Sequence, residues 1–227
     1  MEFDWLKGAS RRGFLRGTSR TSMLALLGVP LIDESGASEL PSAGDYDLSW
    51  AKQLEKATDR AVIDMPSPGD FGLQLAARIL DNCDAAYGAG KHRARVVLNI
   101  RTRAIAMALN DAMWTKYSLG ADVGIKGRDG SAATFSDRNP FLELPAGQGP
   151  EYGGMNDLMK RGSIAIVCDF AMGHTATRLA GKLKLDRADV HRELKANLVP
   201  NAFMVPSGMF GLMKSQNLGC AFVSGGG

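Results

Sequence analysis

From residue 59 onward, apolar positions follow two alternating rhythms. Short apolar runs recur at Arg60–Met65, Arg95–Ile100, Ser163–Val167, Ala202–Val205 and Cys220–Val223, each the length of a strand. Between them, apolar residues fall at helical spacing. One such stripe is Gly72, Leu75, Ala76, Ile79, Cys83 and Ala86. A second is Ile105, Ala108, Leu109, Ala112 and Met113 within Ala104–Tyr117, and a third is Met172, Ala176, Leu179, Ala180 and Leu183. Val190, Leu194 and Leu198 mark a further helix, and Met209–Leu218 another.

The punctuation agrees with this reading. Pro66-Ser-Pro-Gly-Asp70 reads as a turn ending in a capping residue, Asp169 is placed to cap a helix, Asp186-Arg-Ala-Asp189 starts another, and Gly88, Gly90, Gly120 and Gly219 are placed to stop helices. Runs that are apolar on both faces, alternating with helices, predict an α/β fold with a mostly parallel sheet covered on both sides.

Two stretches break the rhythm. Residues 121–156 are rich in Gly and Pro and read as an insertion. Within it, Val123–Ile125 and Ala133–Phe135 are placed to pair across Arg128-Asp-Gly130, and Asp157–Arg161 then finishes a short helix before the next strand. Residues 38–57 are polar and mixed and read as a linker or arm leading into a short helix.

Residues 1–37 differ in kind. Ser10-Arg11-Arg12-Gly-Phe-Leu-Arg16 is similar to a twin-arginine export signal, the apolar segment Met23–Ile32 follows, and Ser35-Gly-Ala37 offers a cleavage site. This order predicts passage through the twin-arginine export machinery to the periplasm or exterior. Fold reasoning therefore applies from about residue 38, with the α/β domain at 58–227.

Composition narrows the classes further. The 227 residues are 45% hydrophobic, enough for one globular domain. Net charge is +3, of which residues 1–37 hold +1, and no basic stripe with interleaved aromatics argues for nucleic acid. No apolar run is long enough for a stable membrane anchor. Cys83, Cys168 and Cys220 share no CxxC spacing, and the three histidines lack paired carboxylates, so no metal site is read. No glycine-rich phosphate loop follows any strand, and no cofactor is expected.

The candidate chemistry gathers at one sheet edge. Cys168 ends the Ser163–Val167 run just where a helix begins, and ligands of open α/β sheets collect at such strand ends. Free amides and the helix dipole there favour a thiolate, the nucleophilic form. The other reading of Cys168 is a small buried hydrophobe, a common fate for a free cysteine. Asp169 is expected at the same mouth, and His174 reaches it only if the helix starts late. Arg101 and Arg103 follow the second strand and share that edge if the strands are parallel; two guanidiniums there suit an anion. Ser207 and Gly208 close the fourth strand and are expected to line the pocket. Cys83 belongs to an apolar helix face, whereas Cys220 either is structural or comes near enough to resolve an oxidised Cys168. His92 and His191 sit among charged residues and are expected in solvent; Trp114 and Tyr117 read as core or interface.

Several of these pieces together resemble the DsrE/DsrF-like family of sulfur-relay proteins. They are Gly162 followed by Ile164–Cys168, the ending Val205-Pro-Ser-Gly208, a helix carrying Gln216, then Gly219-Cys220 and an aromatic strand. Ala108-Leu-Asn-Asp-Ala-Met-Trp114 with Tyr117 is similar to an exported subgroup. The likeness spans residues 58–224. It implies a three-layer α/β/α sandwich around a five-stranded sheet, and a homo-oligomer, a trimer or hexamer. By position, Cys168 matches the cysteine that carries sulfur as a persulfide in such proteins.

Overall fold

The computed structural model describes residues 44, 46–90, 93–127, 134–143 and 153–226. The expected export signal with Arg11 and Arg12, His92, and parts of the insertion lie outside the described residues.

Five strands form the sheet: β1 (Asp59–Met65), β2 (Ala94–Ile100), β3 (Ser163–Cys168), β4 (Phe203–Val205) and β5 (Ala221–Ser224). Their order is β4-β3-β2-β1-β5, and every pairing is parallel, so the sheet is wholly rather than mostly parallel. Burial on both faces explains the unbroken apolar runs: all six residues of β3 and the last five of β1 and of β2 are buried.

The chain steps from β1 to β4 in one direction, then crosses back to set β5 on the far side of β1. Right-handed crossovers therefore place the earlier helices on one face and the last on the other. Alternate strand residues bear this out. Ile63, Leu98, Ala165 and Val167 pack with α2 (Phe71–Tyr87), α5 (Met155–Arg161), α6 (Asp169–Leu183) and α7 (Arg187–Ala196). Val62, Val97, Ile164 and Ile166 pack with α1 (Ser49–Glu55) and α8 (Gly208–Asn217). The result is a three-layer α/β/α sandwich. The short helix at the end of the 38–57 stretch is α1, which sinks Trp50 and Leu54 fully into the second core.

Three local expectations need correction. The helix expected over Ala104–Tyr117 is two pieces, a 3-10 turn at Thr102–Ala108 and α3 (Asp111–Tyr117). The break arises because residues 108–110 bind the chain after α7: Val199 N donates to Ala108 O at 2.9 Å and Asn110 N to Asn197 O at 3.1 Å. Asn110 then caps α3 by accepting from Met113 N at 3.2 Å. Gly120 is not the stop either. Ser118, at φ 49°, ends α3, and Gly120 lies within α4 (Leu119–Val123), where a Cβ would stand 2.1 Å from Ser136 O. A glycine there lets the returning insertion touch the helix. The antiparallel pairing inside the insertion lies one residue beyond the expected first arm, at Lys126 with Phe135. In addition, Ala202 lies just outside β4.

Candidate functional site

Parallel strands place every strand-to-helix turn at the carboxyl edge of the sheet. The turns after β2, β3 and β4 surround a cavity of about 350 Å³, which contains Arg101, Arg103, Cys168, Ser207 and Gly208 in its wall. Five of the six candidate residues thus meet. α6 and α8 begin there on opposite faces of the sheet, so two amide-rich helix ends bracket the opening.

Cys168 is only 4% exposed, yet it lines the cavity. It is itself the N-cap of α6, with Sγ accepting from Ala171 N at 3.2 Å. That overturns Asp169 as the capping group. The sulfur thus sits against the amide-rich first turn of α6.

Asp169 is turned the other way and is not part of the cavity wall. It is 5% exposed and accepts from Tyr46 Oη at 2.8 Å, from Lys195 Nζ at 3.2 Å, and pairs with His191 Nε2 at 2.8 Å. Burial alone would raise its pKa, but the Tyr46 hydroxyl, the Lys195 ammonium and His191 hold it below the ordinary carboxylate range. Hence His191, expected in solvent, is half-buried in this cluster. The helix phase explains both facts, because consecutive residues in the first turn diverge by about 100° around the axis.

Arg101 is held rigidly. Asp64 accepts from its Nε at 2.7 Å and its Nη2 at 2.6 Å, and Asn99 Nδ2 also donates to Asp64 at 3.0 Å. This two-pronged hydrogen bond, opposed by burial and helped by the nearby Asp64 and Cys168 charges, raises the guanidinium pKa further. Gly208 makes the fit possible, since a Cβ there would come 2.8 Å from Arg101 Cδ and 2.9 Å from its Cβ. Between the two arginines, Thr102 sits at φ 54°, a left-handed conformation uncommon for a β-branched residue. Such strain costs about 1–3 kcal/mol and clusters at functional sites. Here it turns the chain so that Arg101 and Arg103 both reach the cavity, while Arg103 N and Ala104 N are anchored on Pro66 O at 3.1 and 3.3 Å.

Sequence reasoning missed several wall residues. His174 reaches the cavity although α6 starts directly after Cys168, contrary to expectation, and Ala171, Thr175 and Arg178 join it along one face of the helix, at intervals of three and four. That spacing was readable, but only once Cys168 fixed the helix start. Arg178 Nη1 pairs with Asp122 Oδ1, and Arg103 Nη2 donates to Asp122 O at 2.8 Å. Phe170 and Met209 rim the opening, 65% and 59% exposed. The Phe170 ring meets His174 edge-on, with centroids 4.6 Å apart.

Cys220 cannot serve Cys168. It precedes β5 at the amino edge, one residue before the level of Ala61, whereas Cys168 ends β3 at the carboxyl edge. Strand rise and spacing set them on the order of 20 Å apart, far beyond disulfide reach. Burial also pushes the Cys220 thiol up to about 11, with Arg60 only partly opposing it. Cys83 packs against the first core from α2, as expected for an apolar stripe, and Trp114 and Tyr117 are core.

Among the described residues no group of His, Cys, Asp and Glu could hold a metal ion, and no helix is long and apolar enough to cross a membrane. Comparison with known families, characterised proteins and solved structures found no match to this chain.

Proposed function

We propose that this is an exported DsrE-like protein that accepts a sulfur species on Cys168 and passes it on. The observation that carries the reading is one cavity holding the Cys168 wall and the guanidiniums of Arg101 and Arg103. The chemistry follows from that proximity. The thiolate attacks a sulfane sulfur of a polysulfide, the donor S–S bond breaks, and the shortened polysulfide leaves with the electron pair. Cys168 is left as a persulfide, and an acceptor thiolate then takes the outer sulfur and releases the original thiolate. The Ala171 amide donates to Sγ, the atom that attacks and that is later released as leaving group. The twin-arginine pattern at Arg11 and Arg12 supports export, and the family likeness supports a trimer or hexamer.

Intact-mass measurement after incubation with polysulfide tests the central step. The wild type gains one sulfur atom and Cys168→Ser gains none; an unmodified wild type overturns the reading. A second reading, a non-catalytic module that holds its ligand without a covalent bond, rests on the 4% exposure of Cys168. That reading predicts ligand binding undiminished in Cys168→Ser.

A further inference from the structure

We propose that the cavity selects an organic monoanion bearing a sulfane sulfur, an organic thiosulfonate or organic persulfide, over an inorganic dianion. This rests on Cys168 as sulfur acceptor and adds the class of donor.

Charge pairing around the cavity makes the first half of the case. Three guanidiniums face it, but two are matched. Arg101 is chelated by the Asp64 carboxylate, and Arg178 is paired with the Asp122 carboxylate. Arg103 spends one N–H on the neutral Asp122 carbonyl, at 2.8 Å, and has no carboxylate partner among the described residues. Among the described residues the cavity therefore offers one guanidinium with no carboxylate partner, to be shared by the Cys168 thiolate and the donor. With the Cys168 thiolate present, a monoanionic donor leaves one negative charge in excess there and a dianionic donor two, and each excess charge in a partly dry site is costly.

The apolar rim makes the second half. Phe170 and Met209 stand 65% and 59% exposed on either side of the opening, one from each helix that begins there. Large apolar side chains left in water beside a cavity mark where an apolar ligand body is buried. A hydrated inorganic ion gains nothing from them. The 350 Å³ volume fits a substituted aromatic ring with its charged head.

With benzenethiosulfonate as donor, the Cys168 thiolate attacks the terminal sulfur. The bond between that sulfur and the sulfonyl sulfur breaks, benzenesulfinate leaves with the electron pair, and Cys168 carries a persulfide. Two negative charges enter and two remain, so no outside oxidant or reductant is needed.

The test compares loading of Cys168 by benzenethiosulfonate, thiosulfate and polysulfide, read by intact mass against time. Benzenethiosulfonate is expected to load at least about ten-fold faster than thiosulfate at equal concentration, and Arg103→Gln to remove about that factor. Phe170→Ala, at a solvent-exposed position, should slow the organic donor about three-fold or more, and slow it more than it slows polysulfide. Cys168→Ser separates selection from reaction: by calorimetry it should bind benzenesulfonate, which has no sulfur to transfer, and not sulfate. Loading by polysulfide with no preference for the organic donor, or equal binding of the two sulfonyl ions, overturns the inference and leaves the sulfur-acceptor reading standing. Absence of any adduct from all three donors overturns both.

Discussion

Cys168 and Asp169 are neighbours in sequence with opposite surroundings. The thiol looks into a cavity with apolar rims, strained backbone at Thr102 and one guanidinium that no carboxylate among the described residues pairs. The carboxylate looks into a cluster in which Tyr46, His191 and Lys195 all bind it. One side of the helix start is left unsatisfied and open to a ligand; the other is closed and ties α6 to α7 and to the segment before α1. The difference teaches that polarity at a helix N-terminus does not identify a site by itself. The phase of the first turn decides which residue faces the ligand and which faces the protein.

The largest effect separating the two sides is on stability. Asp169→Asn should cost about 2 kcal/mol, below the figure for fully buried pairs because His191 and Lys195 are partly exposed to water. Its pH dependence has a definite sign. A carboxyl held below its ordinary value stabilises the fold above the unfolded-state pKa near 3.8, and that contribution is lost as pH falls through the folded value. The gap in Tm between wild type and Asp169→Asn should therefore be constant above about pH 5 and close below pH 4. Sulfur loading of the folded variant at pH 7 should match wild type. A large loss of loading would mean that Asp169 does reach the cavity.

Gly208→Ala breaks the other side and leaves the cluster alone. Its Cβ would lie 2.9 Å from Arg101 Cβ, an atom that cannot swing aside. The arginine and its Asp64 chelate must shift, at about 1–2 kcal/mol, partly offset by the better helix propensity of alanine. Loading should slow about three- to ten-fold, because a small misplacement of a positioned charge is felt strongly in rate. Unchanged loading would show that Arg101 sets only structure.

Much of this comparison was legible along the chain. Runs such as Ser163–Cys168 are apolar on both faces, and that alone implies a strand buried between helices. Parallel strands then put Arg101, Arg103, Cys168, Ser207 and Gly208 at one edge, without any knowledge of contacts. What stayed hidden depends on partners distant in sequence. Asp64 lies 37 positions before the arginine it chelates, and Asp122 lies 56 before Arg178. The contacts that hold Asp169 away from the cavity are as remote: Tyr46 lies 123 positions away. The broken helix at Leu109 has that origin too, since residues beyond α7 compete for its backbone. Local propensity has no access to such pairings.

The smallest effect comes from Thr102, and it should move stability and function in opposite directions. At φ 54° the threonine occupies a region that glycine reaches without steric cost. Thr102→Gly removes that strain but frees the unfolded chain, so the net gain is at most about 1 kcal/mol. The same change loosens the turn that fixes Arg101 on one side and Arg103 on the other. Arg101 loses the Thr102 Oγ1 acceptor of its Nη1, at 3.2 Å, but keeps its Asp64 chelate, and Arg103 depends on an exposed bond to the Asp122 carbonyl. Loading by benzenethiosulfonate should slow about two-fold while Tm holds or rises by a degree or two. A variant that is both less stable and equally fast would show that the left-handed turn serves the fold, and that the cavity side is no more strained for function than the closed side.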